Sequence, residues 1–344
     1  MISIIIPTFN RENLLCLALD SFAKQEFPID KFEILIIDNG STDNTKQVVE
    51  NAIAVHPHHN ICYIHEPEPG LLSGRHRGAL EAKGDIFTFV DDDIQADLNW
   101  LQAIEDTFSN SSVQLVGGRN LPKYEVDPPE WLEGFWEEHP YGRTCSQLSL
   151  LDFGNQIHEI DANYIWGLNF SIRKQALFEL GGFHPDIVPK SLQYFQGDGE
   201  TGLTLKANQL GYKAIYQPKA MVLHNIPKER MTYEYFEKRY FYQGVCNSYT
   251  DIRRAKGKLE KKSFLEKLKK PAKVLNRTIT SLLAENKYRQ EEREELKKSF
   301  YNVFLKGYNF HKILAYNNPK LLDWICKENY WDYKLPKFRF KTLQ

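Results

Sequence analysis

Apolar residues along this chain follow two alternating rhythms: short, nearly continuous runs, and repeats every three or four positions. Residues 2–6, isoleucines broken only by Ser3, read as a strand covered on both faces. Pro7-Thr8-Phe9-Asn10-Arg11 ends it, and Leu14, Leu15, Ala18, Leu19 and Phe22 then share one face of a helix over 12–23. The cycle recurs. A second apolar run, 32–37, ends in Asp38-Asn39-Gly40-Ser41-Thr42-Asp43, whose glycine turn and hydroxyl caps introduce a helix over 44–55. A third run, 61–64, leads to a loop at 70–74 and a helix over 75–83. The fourth, 86–90, runs straight into Asp91, Asp92 and Asp93. This alternation predicts an α/β fold with a mostly parallel central sheet and helices on both faces. In such sheets ligands bind beyond the carboxyl ends of the strands, where Thr8, Asp38 and Asp91 fall.

Farther along, 99–108 reads as helix and 113–117 as strand. Residues 122–149 are irregular and aromatic, the pattern of a lid or binding loop or of an insertion packed on the core. Residues 166–173 read as a strand entering a turn, and 175–180 as a short helix stopped by Gly181-Gly182. A helix over 200–210 precedes two short strands, 214–216 and 221–223, the second ending at His224. An aromatic helix is expected over 233–242. Between Arg253 and Lys273 ten Lys or Arg residues and two Glu interleave with Leu259, Phe264, Leu265 and Leu268. That stretch suits a basic amphipathic helix on an anionic membrane surface, or a solvated helix face. The tail carries Trp324, Tyr330, Trp331 and Tyr333, enough apolar mass to dock on the main body.

Composition narrows the function classes. At 344 residues the chain buries a large core in one or two domains. Its formal net charge of -1 supplies no field for nucleic acid, so no nucleic-acid partner is expected. The five cysteines are scattered without metal spacing and read as free thiols in a reduced compartment. No run of roughly 18 apolar residues occurs, and the N-terminus reads as a first strand rather than a signal peptide. The expected location is the cytoplasm, with any peripheral contact at the inner face of the membrane made through the basic stretch.

Four groups of residues carry candidate chemistry. Three adjacent carboxylates at Asp91, Asp92 and Asp93 repel one another unless something positive neutralises them. A divalent cation carrying phosphate oxygens does so, and strand alternation would put Asp91 and Asp93 on one side and Asp92 on the other. A solvated acidic turn and a general acid/base pair are the rival readings. Asp38 is placed to accept from a base or ribose, or to cap the helix that follows. Arg75 and Arg77 open a helix after a glycine-bounded loop, a setting that suits phosphate. No P-loop or dinucleotide fingerprint occurs. Gly197-Asp198-Gly199-Glu200 puts two carboxylates at a helix entry, where either can deprotonate a hydroxyl or merely cap.

Taken in order, these segments resemble family 2 glycosyltransferases, inverting nucleotide-sugar enzymes of the GT-A fold. The resemblance covers about residues 1–245 and rests on seven motifs. These are Ile6-Pro7-Thr8-Phe9-Asn10-Arg11, Ile37-Asp38-Asn39-Gly40-Ser41-Thr42-Asp43, Gly70-Leu71-Leu72-Ser73-Gly74-Arg75 and Phe89-Val90-Asp91-Asp92-Asp93. Asn169-Phe170-Ser171-Ile172-Arg173, Gly181-Gly182-Phe183 and Glu200-Thr201-Gly202-Leu203 complete the order. The resemblance implies a nucleotide-binding half at 1–120, an acceptor and catalytic half at 121–245, and a helical C-terminal extension at 246–344. It implies that Pro7, Thr8, Asn10, Arg11, Asp38 and Arg75 hold the nucleotide sugar, with Asp91 and Asp92 near its ribose. Asp93, with Asp91 and His224, would hold a divalent metal, Mn²⁺ or Mg²⁺. Glu200 stands where the family's catalytic base stands, and Asp198, two residues earlier, departs from the usual pattern and is the second candidate. The implied partners are a nucleotide-sugar donor, UDP-sugar favoured, and a glycan or lipid-linked glycan acceptor in cell-surface glycan or polysaccharide synthesis. The alternatives are a nucleotidyltransferase, which wants a basic glycine-rich loop where this chain has Pro7-Thr8-Phe9, and a non-catalytic nucleotide- or sugar-binding module. A dehalogenase-type phosphatase wants an Asp where this chain has Thr8.

Overall fold

The computed structural model describes residues 1–187, 196–257 and 284–332. Four parallel strands form its centre: β1 (Ile2–Thr8), β2 (Phe32–Asp38), β3 (Ile61–His65) and β4 (Ile86–Val90), side by side in the order β3-β2-β1-β4. The helices between them are α1 (Glu12–Ala23), α2 (Thr45–Val55) and α3 (Leu71–Glu81). The period-2 alternation of β1 divides the core. Ile2, Ile4 and Ile6 face α1 and a further helix, α4 (Trp100–Phe108). Ile5 faces the opposite layer with Leu72 and Ala79 of α3.

Beyond β4 the sheet turns mixed. β5 (Ile94–Ala96), β6 (Val113–Tyr124), β7 (Glu137–His139), β8 (Gly142–Cys145), β9 (Leu150–Asp152) and β10 (His158–Ile160) come next in the chain. Then follow β11 (Asn169–Arg173), α5 (Lys174–Glu179), α6 (Glu200–Gln209) and β12 (Lys213–Ile226). β11 lies antiparallel between β4 and β6, and β12 runs parallel to β6. The sheet is therefore the expected α/β platform, parallel at its centre and antiparallel at its extension.

Three expectations change. Residues 71–74 are the first turn of α3, not a loop, with Gly70 at φ 116° just before it. Glycines here serve close packing: a Cβ at Gly78 would come within 2.3 Å of Ile5 Cγ2, an overlap that costs about 1–3 kcal/mol to relieve. Next, the two short strands expected over 214–223 are one strand, β12, with an irregularity between Gln217 and Val222 that hid its continuity. Last, the expected boundary at 245 lies inside one helix, α7 (Tyr233–Arg254). Within α7, Gly244 is the point where the Phe304 carbonyl approaches the helix.

The C-terminal part continues with α8 (Ala284–Asn317) and α9 (Pro319–Ile325). The aromatic residues of 122–149 build a core with it: Phe135 packs against Phe236 of α7 at 5.1 Å and Phe300 of α8 at 5.5 Å. The tail docks as expected. Tyr330 is buried, and Trp331 stacks on His76 of α3 at 4.3 Å. Most of the basic stretch, 258–273, and Tyr333 lie outside the described residues. No described helix is long and apolar enough to cross a membrane.

Candidate active site

β4 stops at Val90, so the acidic triplet is a turn and strand alternation does not govern it. The partition of the three acids therefore differs from the expected one. Asp92 and Asp93 go together: Arg11 Nη1 donates to Asp92 Oδ1 at 3.0 Å and to Asp93 Oδ2 at 2.7 Å. Thr8 Oγ1 donates to Asp92 Oδ2 at 2.7 Å. Burial pushes Asp92 up to about 7 against the pull of Arg11. Asp91 stands apart, its side chain 38% exposed and 3.8 Å from Arg75 Nη2.

Asp93 is the most enclosed of the three. Arg230, from the turn after β12, donates through Nη2 to its Oδ2 at 2.7 Å. Burial opposes its ionisation, but His224, Arg230 and Arg11 outweigh burial and hold the carboxyl far below the usual range. Its other oxygen, Oδ1, has no hydrogen-bond partner among the described residues. His224 Nε2 lies 3.4 Å from that oxygen. The His224 ring is oriented by the Leu148 carbonyl, which accepts from Nδ1 at 2.9 Å. Nε2 then carries a lone pair, to which Arg230 Nη1 donates at 2.8 Å. The one lone pair of Nε2 is thus taken by Arg230, and Asp93 Oδ1 is the oxygen left open at this buried point; a cation there would displace Arg230 from Nε2, and the bond from Nδ1 to a carbonyl is the outer support that metal-bound imidazoles have. Among the described residues no three His, Cys, Asp or Glu side chains converge on one point.

Across from the turn stands Arg75 on the second turn of α3. A Cβ at Gly167 would come within 2.1 Å of Arg75 Nη2, so only glycine there admits this guanidinium. Arg75 Nη1 reaches Glu200 Oε2 at 3.3 Å. Glu200 is the first residue of α6, and its Oε1 accepts from the Gly167 N–H at 3.1 Å. It is thus aimed by two donors and sits at the positive end of a helix. Arg77, by contrast, pairs with Glu81 on the exposed side of α3 and has no part here.

Asp198 occupies a different environment. Its Oδ1 meets His184 Nδ1 at 2.6 Å and its Oδ2 accepts from Thr250 Oγ1 of α7 at 2.7 Å. Its side chain is 2% exposed, which leaves neither oxygen open to an acceptor hydroxyl. Burial works against its charge, but His184 and Thr250 hold it below the usual range.

Asp38 closes β2, with its oxygens on Ser41 N at 2.8 Å and Tyr63 Oη at 2.7 Å. Asn10, at φ 53°, ties the first loop to the second by accepting from Thr42 N at 2.7 Å. Pro7 packs beneath Gly74 of α3.

Two residues at the site gave no sequence signal. Arg230 lies in an ordinary charged turn. Asp186 comes to α6 because Gly197 N donates to the Pro185 carbonyl and His184 N to the Gly199 carbonyl. Desolvation and then the charge of Glu200 push its carboxyl up to about 6.

Residues 3–172 match the model of the glycosyl transferase family 2. A glucosyl-dolichyl phosphate glucuronosyltransferase of Haloferax volcanii is 23% identical over 270 residues, spanning 78% of this chain and 82% of its own length. Glycosyltransferase AglE of the same organism is 32% identical over 117 residues, 34% of this chain and 38% of that relative. A mannosyltransferase of Pyrobaculum calidifontis, solved with GDP-Man and Mn²⁺, superposes with a TM-score of 0.54 at 19% identity, over 97% of this chain and 88% of that one. At that identity the likeness is one of fold. The matched family model and the order of the motifs agree, and residues 3–172 belong to glycosyl transferase family 2.

Proposed function

We propose that this glycosyltransferase moves a sugar from a nucleoside diphosphate sugar to an acceptor hydroxyl with inversion, assisted by a divalent cation. The observation that carries the reading is the buried Asp93 Oδ1, without a hydrogen-bond partner among the described residues and 3.4 Å from His224 Nε2, while two guanidiniums hold the other oxygen. Asp93 and His224, with Asp91 nearby, would hold Mn²⁺ or Mg²⁺, which supplies Lewis-acid neutralisation of the departing diphosphate.

The chain's own residues do the rest. The loops after β1 and β2, with Pro7, Thr8, Asn10 and Asp38, take the nucleotide end, as the motif order suggests. Glu200, aimed by the Gly167 N–H and Arg75, takes the proton of the acceptor hydroxyl. The acceptor oxygen forms its bond to the anomeric carbon as the bond to the diphosphate oxygen breaks on the opposite face. Arg75, and Arg11 and Arg230 beside Asp93, are placed to neutralise the leaving charge. A lipid-linked glycan is the acceptor class we favour, because the Haloferax volcanii relative is named for a glucosyl-dolichyl phosphate acceptor.

A nucleotide-sugar panel read by released nucleoside diphosphate, with Mn²⁺ and with chelator, tests this. Asp93→Asn should lower turnover roughly a hundredfold or more and weaken Mn²⁺ binding measured directly. A fully active Asp93→Asn enzyme would remove the metal role.

A further inference from the structure

Arg230 bridges the two side chains that the cation reading needs. Its Nη2 donates to Asp93 Oδ2 at 2.7 Å and its Nη1 to His224 Nε2 at 2.8 Å. The backbone beneath it is anchored: the Arg230 N–H donates to the Pro227 carbonyl at 3.0 Å, and Met231 beside it is buried. The side chain is the part that can move. With the proton of His224 on Nδ1, facing the Leu148 carbonyl, the ring has a single lone pair, and Arg230 takes it. A cation held by Asp93 Oδ1 and His224 Nε2 therefore excludes this hydrogen bond.

Arg11 is the contrast. It donates to the same Asp93 oxygen at 2.7 Å, but its second contact is Asp92 at 3.0 Å, and it leaves His224 alone. A cation on Oδ1 takes nothing from Arg11. It takes from Arg230 the bond that fixes the direction of the guanidinium, and among the described residues Asp93 is the only ion-pair partner Arg230 has. Because Arg11 already balances Asp93, the displaced guanidinium needs a new anion. The oxygens of a diphosphate match its paired donors.

We propose that Arg230 is a displaceable stand-in for the cation: it holds Asp93 and His224 together until a divalent cation takes them, and then turns to the diphosphate of the donor. The inference rests on the transferase and cation readings above. It goes beyond them by making cation and nucleotide bind cooperatively through one side chain. The cation frees the guanidinium that the diphosphate binds, and the diphosphate draws away the guanidinium that opposes the cation.

A two-by-two comparison tests it. Mn²⁺ binding is read by titration calorimetry and by the EPR signal of free Mn²⁺, for the wild-type chain and Arg230→Ala, each alone and with UDP or GDP. Alone, Arg230→Ala should bind Mn²⁺ about tenfold or more tightly than wild type, since nothing has to be displaced. With the nucleotide present that gain should vanish, because in the wild-type chain Arg230 has gone to the diphosphate. A positive charge that stayed in place would weaken Mn²⁺ by the same factor in both conditions. An equal change in the two conditions, or none in either, therefore overturns the proposal. Arg230→Gln, which loses the charge and keeps a donor, should shift Mn²⁺ binding the same way and serves if the alanine variant does not fold. Mn²⁺ bound by neither chain in any condition overturns the cation reading and this proposal with it. A chain that behaves as expected in all four arms yet consumes no nucleotide sugar overturns the transferase reading instead.

Discussion

Residues 91–93 and 198–200 are both acidic, both lie at the edge of a regular element, and both send one carboxylate to Arg75. They differ in what holds the other carboxylates. At the first stretch the counter-charges are arginines, Arg11 and Arg230, which stay protonated at any working pH. At the second, Asp198 is held by a buried histidine and a hydroxyl from α7. The first stretch thus carries a permanent charge balance, supplied by Arg11 and Arg230. The second is braced from outside, by the C-terminal helices. Two acid clusters that look alike in sequence divide into a site that gathers positive charge and a site that aims one carboxylate.

The largest effect that can break this comparison comes from exchanging the two acids at the start of α6. Glu200→Gln should lower kcat by about 10²- to 10⁴-fold with little change in stability. Asp198→Asn should do the reverse: it weakens the buried hydrogen bonds that His184 and Thr250 make to the carboxylate and should cost about 1–3 kcal/mol in denaturant unfolding, with the folded fraction still turning over. Stopped turnover at full stability in Asp198→Asn, beside an active Glu200→Gln, would exchange the two roles.

A smaller effect isolates the brace itself. Thr250→Val removes the hydrogen bond from α7 to Asp198, worth about 1.5–3 kcal/mol for a charged acceptor. If α7 positions Glu200 through Asp198, kcat falls several-fold while donor KM stays constant, and Thr250→Ser restores it. A loss of stability alone, with kcat unmoved, would leave Thr250 merely structural.

The two regions also differed in how far sequence could read them. The central strands were legible because β1, β2 and β4 are covered on both faces and so are written as unbroken apolar runs. The acidic turn was legible as an ionic site, but its internal division was not. That division depends on where β4 stops and on Arg230, which lies 137 positions from Asp93. Glu200 stood out by its place in a motif order, and its contacts with Arg75 and the Gly167 N–H could not be read there. Asp198 was not resolved from it, because burial by Tyr249, Thr250 and Tyr330 is a property of elements distant in the chain.

The smallest expected effect concerns pH, and it sharpens the contrast most directly. Behind the second stretch lie three buried histidines held neutral. Burial, and then the charge of His184, push His76 down to about 3; burial pushes His311 down to about 4; burial also lowers His184, although Asp198 pulls the other way. Each binds its proton near pH 6.5 in the unfolded chain. Above that pH neither state binds it and stability is full. As pH falls below 6.5 the unfolded state gains protons that the folded state refuses, so stability is lost, down to the folded values near 4 and 3. Asp198, held below its ordinary value, adds loss in the same direction at still lower pH. The slope approaches about 1.4 kcal/mol per pH unit for each histidine. The arginines of the first stretch contribute none of this, while Asp92, pushed up to about 7, and Asp186, pushed up to about 6, bind protons in the folded state first and offset part of the loss. Melting temperatures taken from pH 7.5 to 5 should therefore fall, and His311→Gln should flatten the curve. Arg230→Lys should leave its slope as it is. A slope untouched by His311→Gln would mean that acid attacks the fold elsewhere, and that the two stretches are not distinguished by the charges that brace them.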